Sequence, residues 1–505
     1  MSRPSVPPSL SRRDALRTFG LAALGSVALA ACGGSTAAIT AATTAATPSA
    51  PATVTVTQTL NQTQLRTVTV TQQAATVTVT QPVSASAAST RVAAAGGSLT
   101  YMDWRLGSSP EDTAFYNAVR DGFVAKNPSV KWEQLQVDFG TTYLEKFTAM
   151  AASGTPPDVL FASIIWARDW WLQGFLEDLG PYVARTPSVQ PDQYVPPAIY
   201  YNSWQGKTFG IPHVGPDFNT YFVNRSALKE VGIPADDAAL AAWTWADLFL
   251  AHQKLVKRAA DGTITRPGVV FSPGNFADVA VSLYSNGGAF YNEQRTAVAF
   301  NDTAGQQALQ FHVDAHTKYK TDDKLPIGGL DLYNKAFPEG GVPILYAGSW
   351  NQRNFLGNPA AQSLDYTMMN IPHGPSSTKQ ATMAWTNMNV MAKVSRNKDT
   401  AWAFIEYYSG LEVAGKMFTI WKQASPRIDF LQSQVWQDAT RTHPSYANFR
   451  KNAETGGIYP YVSFTDVSNK LQPVITKAVI DGKLSVQDAL AQMQQLANQI
   501  LQPAK

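Results

Sequence analysis

Downstream of residue 97 the apolar positions switch between a period of two and a period of three to four, which separates strands from amphipathic helices. Ser98–Met102 reads as a short strand. Ala114, Phe115, Ala118, Val119 and Phe123 then share one face of a helix over Glu111–Lys126, which Asn127-Pro128 ends. A strand opening at Val130 leads into a helix from about Tyr143, with Leu144, Phe147, Met150 and Ala151 inward. Ser153-Gly154-Thr155-Pro156-Pro157 turns the chain into another strand at Asp158–Ala162. Repeated βαβ units with right-handed crossovers predict an α/β fold with a parallel sheet covered by helices, and ligands in such sheets bind beyond the carboxyl ends of the strands. Trp104 and Trp166 follow two such ends. Near the C-terminus, Ser485 and Asp488 mark a helix start, with Leu490, Met493, Leu496 and Ile500 along one face.

Upstream of residue 97 the pattern differs. Phe19–Ala31 is an apolar run too short to span a bilayer, and Ser11-Arg12-Arg13-Asp14-Ala15-Leu16-Arg17 precedes it. Residues 1–31 therefore read as a signal peptide. The Arg pair resembles the twin-arginine export signal, although Ala15 stands where that pattern has Phe. Leu29-Ala30-Ala31-Cys32 resembles a lipobox, and Cys32 is the chain's one cysteine, so a lipid anchor there and an extracytoplasmic location are expected. From Gly33 to about Gly97 Thr, Ala, Val, Gln and Ser dominate, and Thr-Val-Thr-Val-Thr-Gln recurs at Thr53, Thr67 and Thr76. Residues 32–97 are expected to form an extended, mostly disordered tether, with strand pairing as the alternative that the alternation permits.

Composition adds a size and a charge. A chain of 505 residues, 45% hydrophobic and 15% charged, is long enough for two domains with cores of their own. Taking Arg3, Arg12, Arg13, Arg17 and Asp14, which precede Cys32, from the 40 basic and 37 acidic residues leaves 36 of each. A neutral mature chain gives no electrostatic reason to expect nucleic acid as partner.

Eight ordered stretches resemble the extracellular solute-binding proteins of family 1, which include the maltose-type binding proteins. They are Tyr143–Phe147 with Ala149–Val159, Gly174–Leu179, Gly206–Pro212, Val223–Arg225, Thr244-Trp245, Val342–Trp350, Ala401–Ser409 and Gly482–Leu490. The resemblance implies a two-lobed α/β binding-protein fold crossed three times by the chain, near His213–Asp217, Trp385–Met391 and Ala424–Arg427. Lobe 1 would comprise residues 98–213 and 390–425, and lobe 2 residues 214–389 and 426–505. It further implies a monomer that closes on a small polar solute, most simply a sugar, and presents it to the permease subunits of an ABC importer.

The candidate ligand contacts follow from that geometry, because a sugar site combines aromatic faces with charged or amide hydrogen-bonding groups. Trp350 follows Ala347-Gly348-Ser349 and matches the family's glycine-x-tryptophan stacking position. His213 and Asp217 lie at the first crossing, and Trp385, Asn387 and Trp421 flank the later ones. Trp104 and Trp166 join them from the strand ends, with core packing as the competing role for each tryptophan. Arg353 and Arg427 bear on ligand class: either one facing the cleft would favour a glycerol phosphate or an acidic sugar.

The rival function is a lipid-anchored hydrolase acting on carbohydrate. Glu177-Asp178, Asp236-Asp237 and Asp322-Asp323 supply acids, but adjacent carboxylates in polar turns are ordinarily solvated, and glycosidases need separated acids across a cleft. Gly-x-Ser-x-Gly and His-Glu-x-x-His are both missing from the sequence, and the six histidines lack ligand spacing, so neither a catalytic centre nor a metal or other cofactor is expected. Gly410–Lys416 has phosphate-loop spacing, but Met417 stands where Ser or Thr would bind magnesium, and Ala401, Phe404, Ile405 and Tyr408 place a helix before it.

Overall fold

The computed structural model describes residues 96–292, 296–322, 331–442, 446, 449, 451, 457–458 and 464–501, together with the backbone of four strands between residues 40 and 82. The signal segment and Cys32 lie outside the described residues. The chain divides into two units, Met1–Ala93 and Ala94–Lys505.

In the first unit β1 (Thr40–Thr43), β2 (Ala52–Thr57), β3 (Leu65–Gln72) and β4 (Ala75–Pro82) form a sheet in the order β1-β2-β4-β3. Two copies of the hexapeptide run parallel in register, Thr53 opposite Thr76 and Val54 opposite Val77. Strand pairing is the alternative that the sequence leaves open beside an extended tether; Val/Thr alternation has the strand period, and identical copies align without a slip.

The second unit opens as the pattern of apolar residues predicts, with β5 (Gly97–Asp103), α1 (Pro110–Lys126), β6 (Val130–Gln136), α2 (Thr141–Ala152) and β7 (Val159–Ala162), and continues in a helix that the pattern reading does not include, α3 (Ile164–Leu172). Ser109 caps α1 by accepting from the Asp112 N–H, and Pro110 stands in the first turn, where its missing N–H costs nothing. β5 pairs in parallel with both β6 and β7. After the small hairpin of β8 (Ser203–Trp204) and β9 (Lys207–Thr208) comes β10 (Ile211–Asn224), fourteen residues long and buried throughout. A second hairpin, β11 (Lys257–Arg258) with β12 (Ile264–Arg266), precedes β13 (Val269–Val270), β14 (Ile344–Gly348), β15 (Tyr366–Met369), β16 (Met383–Met391) and β17 (Gly457–Ile458).

These strands join in one nine-stranded sheet, β13-β14-β10-β16-β7-β5-β6, with β15 on β10 and β17 on β16. It is mixed rather than parallel throughout: β10 runs antiparallel to β14, β15 and β16, and β16 antiparallel to β7. A βαβ reading of the first 70 or so folded residues sees only the parallel part. The two long strands that return through the middle carry no such local signal.

Along the strands residues alternate between two cores, as strand geometry leads one to expect, save in β7, where Leu160, Phe161 and Ala162 share one. Met102, Leu160, Tyr221, Ile344, Met388 and Val390 pack on one face of the sheet; Tyr101, Val159, Phe222, Leu345, Ala384 and Met391 pack on the other. Each such fully buried large apolar side chain contributes about 1.5–3 kcal/mol. The last helix, Val486–Leu501, closes one core with Leu490 and Met493 and starts where Ser485 accepts from the Asp488 N–H.

Two bulges in β10 bend it where the polar residues of its first half lie. Its register against β16 slips between Pro212 and Val214 and again between Val214 and Asp217, so the strand bulges at His213 and at Gly215-Pro216. Gly215 has φ +116°, and a Cβ there would lie 2.6 Å from the Asp217 nitrogen, so only glycine fits the second bulge. A third segment meets the same place, since the Gly215 N–H donates to the Ala424 carbonyl at 3.3 Å.

Candidate ligand-binding site

The carboxyl end of β5 and the bulges of β10 bring a polar cluster into the interior. Asp103 is fully buried and accepts from the Tyr116 hydroxyl at 2.5 Å, the Tyr101 hydroxyl at 3.0 Å and the Arg105 backbone N–H at 3.0 Å. His213 Nε2 lies 3.2 Å from Asp103 Oδ2 and 2.9 Å from the Tyr408 hydroxyl. Burial opposes the Asp103 charge, but His213, Arg105 and Tyr116 outweigh it and hold the carboxyl below its ordinary pKa. Burial lowers the His213 pKa against the pull of Asp103, which favours a neutral imidazole. This network fixes the loop Trp104-Arg105 to the strand beneath it.

Arg105 is 7% exposed, and its guanidinium carbon sits 4.6 Å from the Trp104 ring centre and 4.9 Å from that of Trp421. Nε and Nη1 have no hydrogen-bond partner, and among the described residues no carboxylate comes within ion-pair distance of them. Asp217, 4% exposed, feels Arg105 and Arg353 electrostatically, yet among the described residues its side-chain hydrogen bond is a 3.5 Å contact from Asn387 Nδ2. Burial pushes its pKa up to about 6 in spite of both cations. Among the described residues the buried Trp104 Nε1, Thr386 Oγ1 and Asn389 Nδ2 also lack partners. Buried polar groups are almost always hydrogen-bonded, so a concentration of unmet donors beside a barely solvated carboxylate marks a place built to receive polar atoms.

Asn387 ties this group to α3, its Oδ1 accepting from the Ile164 N–H at 3.4 Å. Trp350 is 37% exposed and meets Trp385 edge to face, ring centres 5.8 Å apart. Its indole folds back over Gly348, where a Cβ would collide with the ring, which explains glycine two residues before the tryptophan. The Trp350 carbonyl accepts from Gln423 Nε2 at 3.3 Å, linking it to the third segment.

Three of the expected contacts stand differently. Trp166 packs into the core, stacked on Tyr143 at 5.7 Å. Trp421 is 1% exposed, stacks on Phe115 at 4.6 Å and donates its indole N–H to Asp112 at 2.5 Å, so it is a fixed wall behind Arg105. Arg427 is not brought to the cluster at all: it bonds both oxygens of Asp429 and the Ser188 and Ser409 carbonyls. Arg353 lies nearby but bonds Asp112 at 2.9 Å. Sequence reasoning passes over Asp103, Arg105, Asp112 and Phe139. Asp103 and Arg105 flank Trp104 directly after an apolar strand, a charged pair at a strand's carboxyl end that could have marked them. Phe139, 49% exposed, lies 5.3 Å from Trp104 and comes after β6 in the same way.

Residues 107–414, more than half of the chain, match the model of the family described as bacterial extracellular solute-binding protein. The chain belongs to that family. Its members are binding proteins rather than enzymes, and extracytoplasmic ones. Among curated proteins none matches this solute-binding protein. Among solved structures, the GacH receptor of Streptomyces glaucescens, determined unliganded and with acarbose, matches at TM-score 0.66 and 20% identity over 80% of this chain and 98% of that one. The ABC substrate-binding protein Lmo0181 of Listeria monocytogenes, in complex with cycloalternan, gives the same four values: 0.66, 20%, 80% and 98%. The maltose/maltodextrin-binding domain MalE of Bdellovibrio bacteriovorus, bound to maltotriose, matches at 0.64 and 17%, covering 80% and 99%. At these identities the likeness establishes the fold, the two-lobed one of maltose-type binding proteins. In this solute-binding protein β10 and β16 are neighbours near the middle of the sheet, and among the buried polar atoms without a partner in the described residues His213 Nδ1, Thr386 Oγ1 and Asn389 Nδ2 lie on them, with Trp104 Nε1 and Arg105 Nε and Nη1 on the loop after β5.

Proposed function

We propose that this solute-binding protein is the substrate-binding component of an ABC importer, holding a sugar or related polyol between its lobes and delivering it to membrane permease subunits. The observation that carries the reading is a buried Arg105 with Nε and Nη1 unpartnered among the described residues and the Trp104 and Trp421 indoles beside it, together with a buried Asp217 whose side-chain hydrogen bond among those residues is long. Hydroxyls both donate and accept, and the C–H faces of a pyranose suit Trp104 and Trp350. Lobe 1 would be residues 98–213 with 390–425, and lobe 2 residues 214–389 with 426–505. Ligand contacts made from both lobes favour closure, which the permease reads. Lipidation at Cys32 would anchor the mature monomer to the cell membrane, with residues 33–97 between anchor and folded unit.

Thermal unfolding against mono- and oligosaccharides, polyols and glycerol phosphates tests this, since a ligand that binds only the native state raises the midpoint. A saturable rise with a sugar, without turnover, supports the reading. Consumption of the ligand, or silence across the panel, overturns it.

A further inference from the structure

Within the reading as a sugar-binding protein, on which this inference rests, we infer that Arg105 and Asp217 together select an uncharged sugar and reject acidic and phosphorylated ones, one hydroxyl donating to Asp217 while another accepts from Arg105.

Charge and hydrogen-bond capacity decide the preference. Two guanidiniums, Arg105 and Arg353, share the cluster with three carboxylates, Asp103, Asp112 and Asp217. Arg427 spends its guanidinium on Asp429 and two backbone carbonyls, and Arg353 gives Nη1 to Asp112, which already balances its charge. Asp103 is saturated by Tyr101, Tyr116 and the Arg105 amide. That leaves, among the described residues, a buried cation with two unused donors and a buried carboxylate with one long contact. An anionic ligand on Arg105 would add a negative charge beside Asp217 in a cluster that already holds more carboxylates than guanidiniums, and buried like charges are costly. A neutral hydroxyl pair meets both groups and adds no charge. Asp217 serves best as an ionised acceptor, and the charged groups facing it are Arg105, from the loop after β5, and Arg353, from the helix Gln352–Gly357, with the amide of Asn387 on β16. Its carboxyl, at about 6, therefore makes affinity fall by up to about tenfold for each pH unit below that value.

Calorimetric titration of the full chain with two sets of probes tests this. One set is glucose, maltose, maltotriose and mannotriose; the other is glucuronate, galacturonate, glucose 6-phosphate and glycerol 3-phosphate. Binding is expected in the first set alone, strongest above pH 6. Arg105→Lys and Asp217→Asn should each weaken it at least tenfold, and Asp217→Asn should abolish its dependence between pH 5 and 7. Tighter binding of an acidic probe overturns the inference and leaves the sugar reading standing, as does neutral binding that ignores pH and both variants. No heat from any probe overturns the sugar reading, and the inference falls with it. The comparison of the two sets on the unaltered chain decides the matter even if a variant fails to fold.

Discussion

Arg353 bonds the Asp112 carboxylate at 2.9 Å, joining the helix that comes after β14 to α1, 241 residues away in sequence. Asp112 is buried and Arg353 largely so, and the Trp421 indole is another side-chain donor to that carboxylate. Under the proposed lobe boundaries this pair spans both lobes. Arg353→Met should cost about 1–3 kcal/mol, because it strips a charged partner from a buried acid, and should weaken ligand binding as well. Urea unfolding and calorimetry measure the two effects. A variant as stable as the parent would mean that the pair is worth nothing.

Trp350 and Trp166 are both candidates by position, and the structure separates them. Trp350→Ala should leave stability nearly unchanged, yet weaken ligand binding by more than about 1 kcal/mol, the order of an aromatic contact beyond area burial. Trp166→Ala should instead destabilise by about 3–5 kcal/mol through the cavity it leaves among Tyr143, Trp170 and Phe139. Denaturant midpoints with parallel titrations distinguish them; reversed results would exchange their roles.

Gly348→Ala should act on Trp350 at one remove. A Cβ cannot coexist with the indole folded over this position, so the ring must swing from Trp385. A shift in tryptophan fluorescence is expected together with binding weaker by about fivefold, roughly the 1 kcal/mol of one aromatic contact. An unchanged spectrum would refute the contact.

One buried acid and one half-buried one give stability a sign with pH. Asp217 and Asp278 have pKa values pushed from 3.8 to about 6 by burial, so the native state holds their protons more tightly than the unfolded chain does. Stability is fully present below about pH 4 and falls as pH rises to 6, by up to about 3 kcal/mol per group. Asp278→Asn, which keeps an acceptor for the Tyr346 hydroxyl at 2.7 Å, should flatten that slope and raise stability at pH 7. Asp217→Asn should do the same while losing ligand affinity, the trade expected of a group kept for binding. Chemical denaturation at pH 4, 6 and 7 reads both.

Cys32→Ser should release the protein from membranes, as fractionation would show, because the chain has no second cysteine to acylate. Retention in the membrane fraction would end the lipid-anchor proposal.

Local periodicity is enough for β5 through β7 and for the final helix. The order of the matched stretches implies the family, which the match over residues 107–414 establishes. Trp350 is legible because its glycine stands two residues away. The mixed sheet is not, because β10 is buried on both faces and loses alternation, so its direction and partners are set by strands up to 178 residues distant, as in Ile211 against Asn389. The fates of the arginines are likewise tertiary. Arg353, Arg427 and Arg105 are chemically alike in sequence; packing gives the first two carboxylate partners and seats the third between indoles, with Nε and Nη1 unpartnered among the described residues. Sequence alone thus determined what can be built from local repeats and ordered motifs, the first elements of the folded unit, its last helix and the family. Only the tertiary structure decided which charges find a partner among the described residues and which do not, because that depends on neighbours brought together from distant parts of the chain.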